Sequence, residues 1–160
     1  MIKRILIFLG IALSLWVLAT TALSLRGTAQ IDAKMRRLLS LAGQRKWLRA
    51  GHLLSASYQD AWGQDKATAL RNATEMGRHF LVLEILGTGA VSTRGAQGTW
   101  QGRLTFRGRG TAVGEMIFSR VESLQDDFVF AWRKENWKPW SWKLVSVTQP
   151  EIVFDSQWSP

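Results

Sequence analysis

The sequence predicts an α+β fold in which two or three helices pack on one face of a curved antiparallel sheet of about five strands. Apolar residues recur at helical spacing in the first half of the chain and at alternate positions in the second half. Short segments rich in glycine or polar residues separate the later apolar runs. Helices followed by consecutive strands are the pattern of an α+β domain.

An apolar segment, residues 5–25, precedes this domain. It contains no ionisable side chain; two basic residues stand before it and Arg26 follows it. Its 21 residues, at about 1.5 Å each, reach roughly 30 Å, the thickness of the hydrocarbon core of a bilayer. We expect residues 1–26 to be an uncleaved signal anchor. A cleaved signal peptide, with a typical apolar region of about 7–15 residues, and a buried soluble helix are the alternatives.

Residues 27–160 are predicted to form one domain, because no repeat, low-complexity tract or long linker divides them. The chain has 21 Lys and Arg against 12 Asp and Glu, a net charge of +9. Three of the basic residues flank the apolar segment, which leaves 18 against 12, or +6, for the domain.

Only four residues precede the apolar segment, and such a short N-terminal segment favours a domain in the periplasm or elsewhere outside the cytoplasm. A basic domain at a membrane favours anionic headgroups or a protein partner over nucleic acid.

The first half of the domain shows helical periodicity. Apolar residues at helical spacing over 31–42 and again over 47–54 predict two helical stretches, with a bend or break at Gly43. A connector follows over 57–64. Asp65 is then suited to cap a third helix of about four turns.

The apolar period changes to two after His79. Five segments are predicted as strands on this basis: 80–88, 99–107, 112–122, 128–134 and 140–149. The last strand is expected to extend over 151–154. The segments 94–98, 108–110 and 125–127 have the length and composition of hairpin connections.

This order of elements resembles the NTF2-like, or cystatin-like, superfamily. The resemblance is carried by Tyr-Gln-Asp-Ala-Trp-Gly at 58–63 and by the closing strand at 140–147, and it spans roughly 30–155. It implies a cone between the helices and the concave face of the sheet. The superfamily covers isomerases, dehydratases, lipid carriers and non-catalytic assembly domains, so the resemblance indicates a fold and leaves the function open.

Members with isomerase or dehydratase activity place a carboxylate, a tyrosine and sometimes a histidine in the cone. By that resemblance Tyr58 and Asp60 are candidate catalytic residues. His79, four residues after Glu75, and Glu84, a lone carboxylate in an apolar strand, are further candidates. A tyrosine donor and an aspartate base could move a proton next to a carbonyl. Each residue also has a structural interpretation: Asp60 can cap a turn, His79 can pair with Glu75 on a helix surface, and Glu84 can meet an arginine on a neighbouring strand.

No metal or cofactor site is predicted. The chain has no cysteine, and neither His52 nor His79 has a further ligand at a recognisable metal spacing. The glycines within 108–114 resemble a phosphate-binding loop, but we expect a turn between two strands with no helix after it.

The segment 132–143 holds four tryptophans and four basic residues. This composition is typical of a headgroup-binding loop, and it also suits base stacking on single-stranded nucleic acid. The structural alternative is a hairpin whose Trp132, Trp140 and Trp142 fill the cone, with Trp137 exposed at the turn. The candidate binding residues are Arg133, Trp137, Lys138, Trp140 and Lys143.

The expected function is a non-catalytic, membrane-anchored binding or assembly module outside the cytoplasm. This architecture, a few N-terminal residues followed by one membrane-spanning segment and one domain of this fold, is similar to that of bitopic scaffold components of type IV secretion systems. An enzyme of the isomerase or dehydratase type is the alternative. Lipid or nucleic-acid binding through 132–143 is a weaker one.

Overall fold

The computed structural model describes residues 13, 14, 16, 27–138 and 140–152. Residues 27–43 are helical and are named α1 here. The elements that follow are α2 (Trp47–Gly51), α3 (Lys66–Gly77), β1 (Phe80–Arg94), β2 (Gln97–Gly110), α4 (Ala112–Ser123), β3 (Phe128–Lys134) and β4 (Trp142–Thr148). The predicted α+β fold is confirmed, with four strands among the described residues instead of about five.

The helices begin and end where local signals place them. α1 ends at Gly43 and α2 begins four residues later, so the predicted break is confirmed. Arg45, between them, has a φ of 57°, a left-handed conformation that redirects the chain. The Asp65 carboxylate accepts the Thr68 N–H at 2.8 Å and caps α3, as predicted.

The sheet is antiparallel throughout, in the order β1-β2-β3-β4. β1 and β2 form a long hairpin that runs from Phe80 opposite Gly110 to Arg94 opposite Gln97. β3 pairs only with the first part of β2, up to Gly102. The rest of the hairpin extends beyond β3, and α4 packs against β2 there.

Residues 112–122, predicted as a strand, form a helix instead. Thr111 precedes α4, and its side chain accepts the Gly114 N–H at 3.4 Å. The Glu115 carboxylate accepts the Gly110 N–H at 2.8 Å. Both contacts serve N–H groups at the helix start that no helical carbonyl can reach. The predicted hairpin connection at 108–110 is also wrong, because these residues end β2 and lead into the helix.

Gly108 allows a bulge in the β1–β2 hairpin. The register shifts between Phe80 and Val82, close to the point where Gly108 pairs with Leu83. Gly108 has a φ of +146°, and a Cβ there would lie 1.9 Å from the Val82 carbonyl oxygen. Only glycine fits this close approach of two backbones.

The end of the described chain forms a turn. β4 ends at Thr148, so the predicted strand over 151–154 is wrong at residues 151 and 152; residues 153 and 154 lie outside the described residues. The buried Gln149 donates to the Asp126 carbonyl at 3.0 Å and accepts the Glu151 N–H at 2.6 Å. This ties the turn to residues 125–127, which connect α4 to β3 and are not the predicted hairpin.

Two tryptophans lie at the centre of the core. Trp100 and Trp132 are almost fully buried, and the ring of Trp100 meets Phe130 edge to face at 5.5 Å. Trp142 is buried as well, as expected. Trp140, expected beside them, is 64% exposed because it lies in the turn before β4.

The predicted anchor over 5–25 lies outside the described residues, except for Leu13, Ser14 and Trp16. These three residues are helical and exposed. Within the part of the chain that the structure describes, no helix is long and apolar enough to cross a membrane. The division into 1–26 and 27–160 stays a prediction.

Candidate functional site

An apolar cavity of about 280 Å³ lies between the helices and the concave face of the sheet. The helices supply one wall and the strands the other. Its lining includes Leu39, Trp47, Leu70, Ile85, Phe106 and Leu144. Among the described lining residues, Tyr58 is the one that carries a hydroxyl group, and Met76, 40% exposed, lies at the rim. The cavity therefore suits an apolar ligand, and the Tyr58 hydroxyl and the Trp47 indole N–H are the polar side-chain groups of its described lining residues.

Small side chains on the helices leave this space open. Four alanines from α1, α2 and α3 line the cavity: Ala42, Ala50, Ala69 and Ala73. Larger residues at these positions would fill it, as Trp100 and Trp132 fill the core elsewhere. Sequence reasoning missed this lining. The available signal was the alanine at Ala42 and Ala50, on apolar helix stripes where leucine would be usual.

Tyr58 reaches the cavity from the connector between α2 and α3 and is 6% exposed. Its hydroxyl donates a hydrogen bond to the Asp60 carboxylate. Burial raises the pKa of Tyr58 well above its ordinary value, and the charge and hydrogen bond of Asp60 raise it further. The hydroxyl therefore stays protonated at physiological pH and can act as a polar contact but not as a base.

Asp60 organises the connector. The same carboxylate accepts the Trp62 N–H at 3.0 Å and the Gln64 N–H at 2.8 Å, which is the geometry of a turn cap. Asp60 is buried but is not among the residues that line the cavity. Its contacts hold the turn and orient Tyr58.

The other predicted catalytic residues lie away from the cavity. Glu84 is exposed on β1, opposite Arg107 of β2. His79 follows α3, and its Nδ1 lies 3.3 Å from the Thr111 hydroxyl. His52 is exposed at the end of α2. The structure thus brings Tyr58 and Asp60 together and leaves Glu84 and His79 apart from them.

No group of three or more His, Cys, Asp or Glu side chains within the described ranges could hold a metal ion.

A second cavity, of about 370 Å³, lies between β2 and α4. Its lining mixes charged residues, such as Arg107 and Glu122, with apolar ones. The Arg103 guanidinium crosses it and donates to the Leu124 and Gln125 carbonyl oxygens at 3.3 and 2.6 Å. Arg103 therefore braces the end of α4 against the sheet.

Solved structures share this arrangement of helices, sheet and cone. An NTF2-like superfamily protein from Salmonella enterica serovar Typhimurium superposes with a TM-score of 0.57 at 16% identity, over 81% of this chain and 94% of that chain. A protein of unknown function with a cystatin-like fold from Nostoc punctiforme gives a TM-score of 0.55 at 14% identity, over 78% and 92%. The fold is NTF2-like.

A third similar structure belongs to a longer protein. Bd1075 from Bdellovibrio bacteriovorus superposes with a TM-score of 0.56 at 3% identity, over 74% of this chain but only 38% of that one. No protein-family model matches the sequence, and neither does any curated protein. At such identities the NTF2-like fold is shared, and an activity does not follow from it.

The NTF2-like domain also presents an exposed tryptophan loop, residues 135–141, between β3 and β4. Trp137 is 84% exposed, and Trp140 in the same loop is exposed as well. The Ser141 hydroxyl lies 2.8 Å from both the Asn136 and the Lys138 carbonyl oxygens, and the Ser141 N–H donates to the latter at 3.1 Å. These contacts hold the loop in one shape with its two indole rings outward.

Basic residues lie in this loop and on the strands that flank it. Lys138 is exposed within it. The Arg133 guanidinium donates to the Ser57 hydroxyl at 2.6 Å, and the Lys143 ammonium donates to a backbone carbonyl of the α2 end. Burial lowers the pKa of Lys34 on α1, and the charge of Lys143 lowers it further. Arg133 and Lys143 are paired across β3 and β4, and Trp137, Lys138 and Trp140 lie in the loop that joins these two strands.

Proposed function

We propose that this protein is a non-catalytic, membrane-tethered module that binds a small apolar molecule in its cone. The apolar cavity of about 280 Å³ is the observation that carries the proposal. An apolar cavity of about 150 Å³ is enough to bind benzene. This one therefore suits a molecule of about twice that size, such as a two-ring aromatic or a short branched hydrocarbon, and Tyr58 offers it one polar contact.

The lining favours binding over catalysis. Proton transfer needs an acid or a base within hydrogen-bond reach of the substrate. The described lining offers the Tyr58 hydroxyl, whose raised pKa keeps it protonated and whose proton is directed to Asp60. An isomerase or dehydratase is the second candidate. The adjacency of Tyr58 and Asp60 favours it, whereas Glu84 and His79, away from the cone, do not support it.

The tether is supported by the apolar segment 5–25, which precedes the domain. Leu13, within it, is 58% exposed, so its side chain is not part of the buried core. We place the domain outside the cytoplasm. Retention of the chain in membranes after alkaline carbonate extraction, and a C-terminal reporter active only outside the cytoplasm, are the expected results. Release by carbonate would contradict the tether.

Cavity binding is tested by filling the space. The thermal unfolding midpoint of the full chain in nanodiscs should rise by about 5 °C or more with saturating naphthalene. Ala73→Phe, on the cavity wall, should abolish this rise, whereas Ala67→Phe, exposed on the same helix, should keep it. Equal rises in the two variants would contradict binding in the cone.

The enzyme alternative gives a different result. Tyr58→Phe leaves the apolar lining intact, so a binding module should keep its response to naphthalene. Organic extraction of the protein from cells, followed by mass spectrometry, should recover an unmodified apolar compound that Ala73→Phe loses. Chemical conversion of that compound by the wild-type chain, lost in Tyr58→Phe, would favour the enzyme.

A further inference from the structure

The chain that precedes residue 27 joins the domain at the end where both hairpins turn. A Cβ on Gly27 would lie 3.4 Å from the Trp142 ring and 3.5 Å from the Thr93 methyl group. Trp142 begins β4, and Thr93 is the second-last residue of β1. The proposed anchor therefore meets the domain beside the β1–β2 turn and the start of β4.

The tryptophan loop lies at this same end. It follows Lys134, the last residue of β3, and the Lys134 N–H donates to the Ala96 carbonyl of the β1–β2 turn at 2.8 Å. The two hairpin turns thus stand side by side. The exposed indoles of Trp137 and Trp140 are carried by the end of the domain from which the anchor leaves.

The loop is held in place, and its indole rings remain outside the core. The Glu135 carboxylate accepts the Ser55 hydroxyl at 2.6 Å, which fixes the start of the loop to the body of the domain. Ser141 closes its other end through the contacts described above. Two exposed tryptophans within one short loop are uncommon on a surface that faces only water. Tryptophan is enriched at the boundary between lipid and water, where its ring is partly apolar and its N–H stays hydrated.

The charge of this end is complementary to an anionic bilayer. The segment 132–143 contains four basic residues and one acidic residue, a net charge of +3. Arg94, in the neighbouring hairpin, adds a further positive charge. Basic residues close to an anchor are attracted to anionic headgroups within about a Debye length of the surface.

We propose that the tryptophan loop inserts Trp137 and Trp140 into the headgroup region of an anionic bilayer. This inference rests on the proposed tether, which brings the loop to the membrane. The loop then acts as a second membrane contact beside the anchor and turns the hairpin end of the domain toward the lipid. The cone, whose rim carries Met76, faces away.

The absence of cysteine allows a test on the full chain with a single label. Lys138→Cys, carrying an environment-sensitive fluorophore, reports on the loop in nanodiscs of phosphatidylcholine and phosphatidylglycerol. Val113→Cys, at the start of α4 and the other end of the hairpin, is the matched control position. We expect blue-shifted emission and quenching by nitroxide-bearing lipids for the label at 138 and neither for the label at 113. If the label at 138 showed the same unshifted emission and the same lack of quenching as the label at 113, the proposal would be overturned.

Variants then assign the insertion to the tryptophans. Trp137→Ala with Trp140→Ala should remove at least half of the quenching at position 138. Leu48→Ala, which removes an exposed apolar side chain from α2, should leave the quenching unchanged. Discs of phosphatidylcholine alone should give weaker quenching than the anionic discs. Quenching that is equal in all variants and in both lipids would contradict insertion by the loop.

The loop and the tether fail in distinguishable ways. If the chain stays in the discs through a wash at high salt but the label at 138 shows no blue shift or quenching, insertion of the loop is refuted and the proposed tether is retained. A chain that leaves the discs refutes the tether. Flotation with phosphatidylglycerol vesicles that depends on Trp137 and Trp140 would then still support the loop. A label that responds to single-stranded oligonucleotide and not to anionic discs would assign the loop to nucleic acid and overturn the proposal.

Discussion

Tyr58 and Asp60 show how one polar pair is accommodated next to an apolar cavity. A buried hydroxyl without a partner costs about 1–3 kcal/mol, and the Asp60 carboxylate removes that cost by accepting its hydrogen bond. The same carboxylate serves two backbone N–H groups of the turn. The pair is consequently a structural unit, and it leaves the tyrosine neutral.

The raised pKa of Tyr58 predicts a loss of stability in alkali. The unfolded tyrosine ionises at its ordinary pKa of 10.0, before the folded one does. The stabilising contribution is therefore complete below pH 10.0 and falls as the pH rises above it, by up to about 1.4 kcal/mol per pH unit. Urea denaturation at a series of pH values should show this fall in the wild type relative to Tyr58→Phe.

A direct titration checks the same prediction. Tyr58 is the single tyrosine of the chain, so the ultraviolet absorbance of tyrosinate reports on this hydroxyl. We expect its midpoint near the ordinary value in urea and well above it in the folded protein. Equal midpoints in the two states would refute the buried hydrogen bond to Asp60.

Among the elements, α4 depends most on its first turn. Gly114, Ile117, Phe118 and Val121 form one helical stripe, and the Phe118 ring lies 5.1 Å from that of Phe80. The helix packs on the part of β2 that β3 leaves unpaired. These four residues are three or four positions apart, which is the helical period and not the alternation of a strand.

Glu115→Ala should destabilise the protein by about 1 kcal/mol, because the Gly110 N–H loses its acceptor at the helix start. Glu122→Ala, exposed near the other end of α4, should change the free energy of unfolding by less than about 0.5 kcal/mol. Denaturant titration gives both values, and hydrogen exchange should show faster opening of α4 in Glu115→Ala alone. Equal effects of the two substitutions would argue against the cap.

On the scale of the whole molecule, the cavity and the tryptophan loop are separate. β1 has 15 residues, about 50 Å at about 3.3 Å each. Its first residues line the cavity and its last lie beside the loop. No described residue of 135–141 lines the cavity. A ligand in the cone and a bilayer at the loop would therefore contact different ends of the domain.

This separation predicts independent effects of substitution at the two ends. Trp137→Ala should leave the naphthalene-induced rise in the unfolding midpoint unchanged, and Ala73→Phe should leave lipid quenching at position 138 unchanged. The double variant should show the sum of the two single effects, as distant sites usually do. A double-mutant cycle measured in anionic nanodiscs checks this. Coupling of 1 kcal/mol or more between the sites would indicate that the ends communicate.

Much of the fold followed from periodicity. The period of two predicted a strand over 99–107, and in β2 the more buried Trp100, Leu104 and Phe106 alternate with the exposed Arg103 and Arg107. Side chains on a strand alternate by geometry, so one exposed and one buried face leave a readable pattern. The strand prediction over 112–122 was wrong because a short apolar segment fits both the helical period of 3.6 and the strand period of two.

The candidate site was less accessible to such reasoning. The sequence predicts the connector 57–64, and the structure places Tyr58 at the cavity, with Asp60 next to it and outside the lining. The cavity itself arises where small side chains of three helices face one another across the sheet. No local pattern states which alanines converge, because their positions are set by how the helices pack.

The sequence by itself determined the α+β class, the break at Gly43, the cap at Asp65 and the clustering of tryptophan and basic residues in 132–143, because these depend on neighbours along the chain. The tertiary structure alone decided two further features: the cavity, and the exposure of Trp140 in the same loop as Trp137 at the end where residue 27 begins. These depend on which surfaces meet. Burial is a property of contacts between distant segments, and a single segment does not encode it.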